Sequence, residues 1–364
     1  MKNQHILIIT NPMIAANRSA EVTLSKFLRV LQPSAASIRV IGGNLRVEQD
    51  LGTIALRSFP IAREGSKIKR FLALLLLQAR MACAVLRDGH KRQPVYFWIA
   101  DKMLLPYWVA KLRGMEINYF IYGNVEKEGM PNRFTRISGR LIRYMATHAD
   151  FVCMESPSVI KEWPGLSCVC QKILHLYTQT APALHEHRTH TFGMVCRLTR
   201  GKHVIECMEA MARIHEAHPA WTLEIIGSGK QQTACEKLLQ TLGAEDYIHL
   251  RGWIAHRELQ SRMQSWRYLL FPSDTEGLPN GLLEAMGCGV PPVASPVGGI
   301  TDVVQEMENG LLLSGCSVEE IAAGIERAVS LPEPDYQQMA KRAYETVKTT
   351  FSLEAAQAAA HNYL

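Results

Sequence analysis

The sequence predicts an α/β protein built from two doubly wound, parallel-sheet domains. Short apolar runs alternate with amphipathic helical patterns through both halves of the chain, the signature of parallel sheets covered on both faces. The 364 residues exceed what one hydrophobic core normally supports. A polar stretch from Thr178 to His190, carrying Pro182, separates the two series and reads as a linker.

In the first half the apolar runs predict strands over 6–10, 38–41, 53–56, 95–99, 117–122, 151–154 and 173–176. Helical spacing predicts helices over 20–31, 68–87, 104–113 and 134–147. In the second half strands are expected over 192–196, 222–226, 247–250, 269–271 and 292–294. Helices are expected over 204–217, 232–242, 258–264, 280–286, 319–329 and 336–347. The expected organisation is residues 1–180, a linker over 181–190, residues 191–350, and a final segment over 351–364.

Composition narrows the class. Apolar content of 47% and charged content of 20% are those of a soluble globular protein. Nine cysteines without a paired framework fit a reducing cytosol. Cys168 and Cys170 stand too close together, and too far from other ligands, for a zinc site. The start shows no signal-peptide pattern. The apolar stretch from Phe71 to Leu86 is interrupted by Gln78 and Arg80 and falls short of the ~20 residues that span a bilayer.

Charge is segregated. Up to residue 185, Lys and Arg number roughly 25 against roughly 12 acids, about +13. The remainder carries about −7, for a total of +6. A basic half suggests a polyanionic partner, nucleic acid or an anionic membrane.

The most informative segment lies between Glu276 and Glu284. It follows the apolar run Tyr268 to Phe271, a buried strand, and Pro272-Ser273-Asp274-Thr275 break that strand. Pro279 suits a first helical turn, and Leu282, Leu283 and Met286 supply an apolar face after it. Glu276 is therefore expected in a loop at a strand's carboxyl end and Glu284 about one turn inside the next helix, with free backbone N–H groups between them. Ligands of open α/β sheets bind there, and helix N-termini favour phosphate. Two acids beside a phosphate site make sense if they accept hydrogen bonds from sugar hydroxyls.

Phe271-Pro272-Ser273, Glu276-Gly277-Leu278-Pro279-Asn280 and Glu284 through Pro291 together resemble the donor-site signature of glycosyltransferase family 4. Gly298-Gly299 and Asn309-Gly310-Leu311-Leu312 continue the pattern. The resemblance implies a GT-B fold, two Rossmann-like domains facing a central cleft, and a retaining, metal-independent transferase. It implies that Glu276 meets the donor sugar and Glu284 the ribose, with Gly277, Leu278, Pro279, Asn280 and Gly281 along the diphosphate.

Arg197-Leu198-Thr199-Arg200-Gly201-Lys202 follows the first strand of the second half. Cations at a strand's carboxyl end are placed to neutralise a diphosphate, most strongly as charge develops on the leaving group. The family has an Arg and a Lys at this spacing, which points to Arg197 and Lys202 and leaves Arg200 as a surface charge. This chain departs by placing Cys196 and His203 where glycines are common.

Gly227-Ser228-Gly229-Lys230 is not a P-loop: Glu224 stands where the first glycine belongs and Gln231 follows the lysine. By resemblance, Trp253 and Ile254 border the nucleobase; a Trp packed between helices is the competing reading.

The first half matches the family less well. Asn11 through Asn17 replace a Gly-rich loop. The family's histidine near the reacting carbon is absent, with Tyr122 or Asn124 in the corresponding place and Glu126 close by. Asp101 is a candidate acceptor-hydroxyl contact or base, unless it caps the helix that follows.

Arg133, Arg136, Arg140 and Arg143 form a stripe at helical spacing. Lys67, Lys69 and Arg70 precede the run Phe71 to Leu77. A basic cluster beside an apolar helix has the composition of a membrane-surface anchor, while a solvated face over a core helix is the bland alternative. No helix-turn-helix, RNP or zinc pattern accompanies the charge, so nucleic acid is not expected. His185, His187 and His190 lack companions for a metal site.

The expected protein is thus a glycosyltransferase using a UDP- or GDP-sugar as substrate, with no cofactor or metal. Its acceptor is a glycan or a lipid-linked glycan of surface-polysaccharide type. It is expected in the cytoplasm, peripheral on the inner face of the membrane. A GT-B sugar-nucleotide epimerase and a catalytically weak sugar-nucleotide binder are the alternatives.

Overall fold

A computed structural model describes residues 4–13, 19–47, 51, 54–61, 65–123, 133–181 and 188–363. The chain forms two compact units. The first comprises Met1–Tyr122, Asn132–Tyr177 and Leu353–Leu364; the second comprises Gly123–Pro131 and Thr178–Ser352.

The first unit is built on a seven-stranded sheet. Its strands are β1 (Gln4–Ile9), β2 (Ala35–Gly43), β3 (Ile54–Phe59), β4 (Pro94–Phe97), β5 (Glu116–Phe120), β6 (Phe151–Met154) and β7 (Gln171–Ile173). Their spatial order is β3-β2-β1-β4-β5-β6-β7 and every pairing is parallel. β1 and β4 are buried almost throughout, as strands covered on both faces must be. The helices are α1 (Ser19–Leu31), α2 (Lys67–Asp88), α3 (Leu104–Leu112) and α4 (Arg133–Thr147). The final helix, α12 (Leu353–His361), joins this unit: Ala356 and Ala360 are buried in the core that contains Phe27, Leu28 and Leu31 of α1.

The second unit has a six-stranded parallel sheet. Its strands are β8 (Thr191–Val195), β9 (Thr222–Ile226), β10 (Ile248–Gly252), β11 (Tyr268–Phe271), β12 (Pro292–Ala294) and β13 (Leu311–Leu312), in the order β10-β9-β8-β11-β12-β13. Around it lie α5 (Val204–His215), α6 (Gln232–Leu242), α7 (His256–Ser265), α8 (Asn280–Gly287), α9 (Ile300–Val303), α10 (Val318–Val329) and α11 (Glu333–Thr350). In both sheets the chain reverses direction between two neighbouring strands, β1 and β4 in the first and β8 and β11 in the second. Such switch points open a crevice at the carboxyl ends of the strands.

Several expectations need correction. β7 covers Gln171–Ile173 instead of 173–176; Leu174 and Leu176 are core residues beyond the strand. β4 stops at Phe97, and Trp98 and Ile99 lie beyond the strand, although the Trp98 N–H still donates to the Ile9 carbonyl at 2.9 Å. The short β13 and α9 were not expected, and residues 353–361 form a helix where only a segment was foreseen. Two residues of the expected linker, 181–190, are fastened to the second unit: Arg188 donates to the Cys288 carbonyl at 2.7 Å, and Ala181 N–H donates to the Gly287 carbonyl at 3.1 Å. The α2 leucine run is not a core element throughout. Leu77 and Met81 are buried, but Phe71, Leu72, Leu75 and Leu76 are exposed.

Candidate functional site

The second unit gathers its polar groups at the β8/β11 switch point. β8 ends at Val195, and the chain runs through Arg197 into a tight turn over Arg200–Lys202. Gly227 fits against this segment because a Cβ there would lie 1.9 Å from the Cys196 carbonyl oxygen, at φ +141°. β11 ends at Phe271, and Pro272 through Pro279 form the loop into α8.

Because β8 and β11 are neighbours, Lys202 meets the β11 loop. Its ammonium is ion-paired with Glu276 and donates to the Ser273 hydroxyl at 3.0 Å. Lys202 and Glu276 are 11% and 13% exposed, so they interact in surroundings where charge is poorly screened. Ser273 is itself held: its N–H donates to the Ser295 hydroxyl at 3.1 Å, and its hydroxyl donates to the Gly201 carbonyl at 3.3 Å. The Asp274 N–H donates to the same carbonyl at 3.1 Å.

His203 follows Lys202 with φ +48°, the left-handed region. Its Nε2 lies 2.7 Å from Asp274 Oδ1. The Cys316 sulfur beside the ring, and then Asp274, push its pKa up to about 9 against the opposing effect of burial. Cys316 in turn lies 3.1 Å from the Ser295 hydroxyl. His203, Asp274 and Cys316 escaped the sequence reading; the histidine replacing a common glycine was their one visible trace. Cys196 sits among the same charges, and burial pushes its thiol up to about 12.

α8 begins at Asn280 with Pro279 as its N-cap, which offers no side-chain cap to the first turn. Leu282, Leu283, Ala285 and Met286 are buried and fix the helix on the sheet. Glu284 therefore points away from that core, 18% exposed, with His256 Nε2 3.1 Å from its Oε1. Leu278 is buried, and Gly277 accepts from the Gly299 N–H at 2.7 Å. Arg197 is exposed at the end of β8. Trp253 is 72% exposed, while Ile254 packs against the core near α8. Trp253 is therefore not packed between helices.

In the first unit Asp101 follows β4, and the Asn11 side-chain amide, just after β1, donates to it. Lys102 Nζ lies 4.0 Å from its carboxylate. No side chain caps α3, so Asp101 does not serve as its cap. Between them Ile99 adopts φ +46°, a conformation a β-branched residue rarely takes. Tyr122 stacks on Phe120 at 6.2 Å, and burial raises its phenol well above the ordinary value. Asn124 and Glu126 lie outside the described residues.

A cavity of about 1040 Å³ opens at this switch point, lined by the β1 and β4 ends, the start of α2, and Ile137, Ser138 and Leu141 of α4. Lys67, Lys69 and Arg70 are exposed on the first turn of α2. On α4, Arg136 and Arg140 are exposed, whereas Arg143 is tied back, donating to the Pro164 carbonyl at 2.6 Å over the Trp163 ring. Arg133 opens α4, but its side chain lies outside the described residues. Among the described residues no helix is long and apolar enough to cross a membrane.

Residues 179–346 match the family of group 1 glycosyl transferases. The chain is 37% identical over 139 residues to an exopolysaccharide phosphotransferase of Streptomyces coelicolor, covering 38% of this chain and 14% of that protein. It is 31% identical over 168 residues to the GtfA subunit of the UDP-N-acetylglucosamine–peptide N-acetylglucosaminyltransferase of Streptococcus gordonii, covering 44% and 33%. The chain thus spans a third or less of the length of these relatives. Over its whole length it resembles the Anabaena HepE structure in complex with UDP-glucose, with a TM-score of 0.75, 16% identity and 99% of each chain covered. The chain has the GT-B fold, and residues 179–346 carry a group 1 glycosyl transferase domain.

Proposed function

We propose that the chain is a retaining, metal-independent glycosyltransferase of family 4. It moves a sugar from a UDP- or GDP-sugar to a hydroxyl of a glycan or lipid-linked acceptor. The observation that carries this reading is the Lys202–Glu276–Ser273 cluster at the β8/β11 switch point, inside the matched domain.

In the resting site Lys202 is neutralised by Glu276. A diphosphate is a stronger partner for an ammonium, so donor binding draws Lys202 away and frees Glu276 to accept hydrogen bonds from sugar hydroxyls. Arg197 adds a second cation. Backbone N–H groups from Leu278 to Gly281 meet the phosphates at the start of α8. Glu284 accepts from the ribose, exchanging His256 for a hydroxyl, and Trp253 and Ile254 flank the base. As the glycosidic bond breaks, charge grows on the leaving diphosphate, and Lys202 and Arg197 stabilise it most at that moment. The departing phosphate takes the acceptor proton on the same face of the sugar, which accounts for retention. Asp101, fixed by Asn11, contacts the acceptor hydroxyl; Tyr122 and Asn124 are the further candidates for the acceptor.

The first unit rests against the inner face of an anionic membrane through Lys67, Lys69, Arg70, Arg133, Arg136 and Arg140. The exposed Ile68, Phe71, Leu72, Leu75 and Leu76 of α2 support this, since apolar side chains beside cations suit a lipid surface.

Thermal denaturation with UDP, GDP and ADP tests the donor site. A ligand at 100 times its dissociation constant stabilises the native state by about 2.7 kcal/mol. The nucleotide that stabilises the protein should bind Glu284→Ala at least about tenfold more weakly, the loss expected for a charge-assisted hydrogen bond. Equal affinity removes Glu284 from the ribose. Stabilisation by none of the three, with no acceptor-dependent nucleotide release, defeats the proposal.

A further inference from the structure

The turn after β8 and the loop after β11 are joined by a row of contacts. The Gly201 carbonyl accepts from the Ser273 hydroxyl at 3.3 Å and from the Asp274 N–H at 3.1 Å. Lys202 donates to the Ser273 hydroxyl and is ion-paired with Glu276. His203 completes the row, with its Nε2 2.7 Å from Asp274 Oδ1. The Gly201 and Lys202 contacts belong to the cluster assigned to the donor; the His203 pair lies outside it.

This last pair is held against two opposing effects. His203 keeps φ +48°, a conformation glycine would take without strain. It is also the N-cap of α5: its carbonyl accepts from the Cys207 N–H at 3.0 Å, but its side chain makes no capping bond. A cation at a helix N-terminus opposes the helix dipole. Three groups offset this by facing the ring: Cys316 ahead of α10, Asp274 of the β11 loop, and Glu206 of α5 at 3.7 Å. The first two raise its pKa to about 9 against burial, so the ring is a cation at neutral pH. The preceding cation, Lys202, is paired with Glu276. A strained residue persists where its surroundings over-determine it, and such residues gather at functional sites.

We infer that His203 is a positioning residue of the donor site: its ion pair with Asp274 clamps the β11 loop to the turn after β8 and so sets Lys202 and Glu276 where a nucleoside diphosphate meets them. The inference rests on the donor reading above. Asp274 stands between Ser273 and Glu276, the two partners of Lys202, so a shift of its backbone moves both. While the clamp holds, Ser273 keeps Lys202 in place as a diphosphate draws it from Glu276. The clamp is present while the ring is protonated and is lost as pH rises through about 9.

The test is calorimetric titration of the full chain with UDP, GDP and ADP at pH 7.5 and pH 10, for the parent, His203→Asn and Asp274→Asn. Asparagine tolerates the left-handed backbone and carries no charge. Melting curves check that each protein is folded at the titration temperature. Asp274→Asn leaves the backbone of the turn as it is and keeps the test open if His203→Asn does not fold. At pH 7.5 each variant should bind the diphosphate preferred by the parent about tenfold more weakly. The two substitutions together should weaken it little more than either alone, as for residues that act as one pair. At pH 10 parent and variants should agree within about threefold, because the ring is then mostly neutral. Any other group that titrates over this range does so in all the proteins, so the ratio of parent to variant reads His203. A deficit that is the same at pH 7.5 and pH 10 means a packing role and overturns the inference. Unchanged affinity in a folded variant overturns it and leaves the donor reading standing. A parent that binds none of the three diphosphates overturns the donor reading and this inference with it.

Discussion

His203 adopts φ +48° and ψ +37°, a conformation that glycine takes without steric cost. The strain in a non-glycine residue is about 1 kcal/mol or more. Its ring recovers that cost by charge, with Asp274 at 2.7 Å, the Cys316 sulfur beside it and Glu206 at 3.7 Å. The folded-state pKa, about 9, lies above the ordinary 6.5. The protonated ring therefore favours the folded state fully below pH 6.5, and that contribution is lost as pH rises through 9. The shift corresponds to on the order of 3 kcal/mol at pH 6. His203→Gly should consequently destabilise the protein by about 1–2 kcal/mol at pH 6, the lost charge outweighing the relieved strain. At pH 10 the same variant should match or exceed the parent. Melting curves of both proteins across pH 6–10 decide it; a difference that does not change with pH removes the charge account. Of this, only a histidine in a place where glycine is common was legible from sequence. The residues at the ends of single strands can be read locally, as Glu276 after an apolar run was. The meeting of His203 with Asp274, or of Lys202 with Glu276, depends on β8 lying beside β11, a non-local fact that periodicity does not carry.

α2 was legible as a helix because its apolar residues recur at helical spacing and Ser66 caps it, accepting from the Lys69 N–H at 3.3 Å. What its faces touch was not legible. Leucines all around the first turns fit a core helix and a membrane-facing helix equally. The structure separates them: the carboxyl-terminal half buries Leu77, Met81, Ala82 and Val85, while Leu72 and Leu76 are 57% and 54% exposed. Replacing both exposed leucines with glutamate should therefore change stability by less than about 1 kcal/mol, as for other surface positions. Flotation with phosphatidylglycerol vesicles should change far more. Each leucine that enters the lipid boundary contributes roughly 1.5–3 kcal/mol, and each basic residue near the surface about 1 kcal/mol. The double variant should lose vesicle binding by at least a hundredfold at unchanged melting temperature. If parent and variant float equally, or if phosphatidylglycerol content has no effect, the α2 face is not a membrane surface. β7 was read two residues late and β13 was not read at all, for a different reason. Three- and two-residue edge strands carry too few alternations to stand out from the surrounding loops.

The chain order itself determines which core each segment supports. The two sheets have separate cores, one around Phe27, Tyr96 and Trp98, the other around Phe192, Tyr268 and Tyr336. Yet the last helix returns to the first of them. α12 buries Ala356 and Ala360 against α1, Gln357 donates to the Arg29 carbonyl at 3.1 Å, and His361 Nδ1 lies 3.1 Å from the Ser34 hydroxyl. The small side chains matter, because alanines let the two helices approach closely. Aspartate at both positions would bury two charges without partners and cost more than about 4 kcal/mol. That cost falls on the first core alone if each core melts as its own unit. Calorimetry of Ala356→Asp/Ala360→Asp should then show a transition lowered by many degrees that is indifferent to nucleotide. A second transition near the parent temperature should still shift upward with the nucleotide that binds the β8/β11 site, because linkage stabilises only the unit that holds the ligand. A single transition displaced as a whole would mean that α12 contributes to both cores together, and the separation of donor binding from the stability of the first unit would be lost.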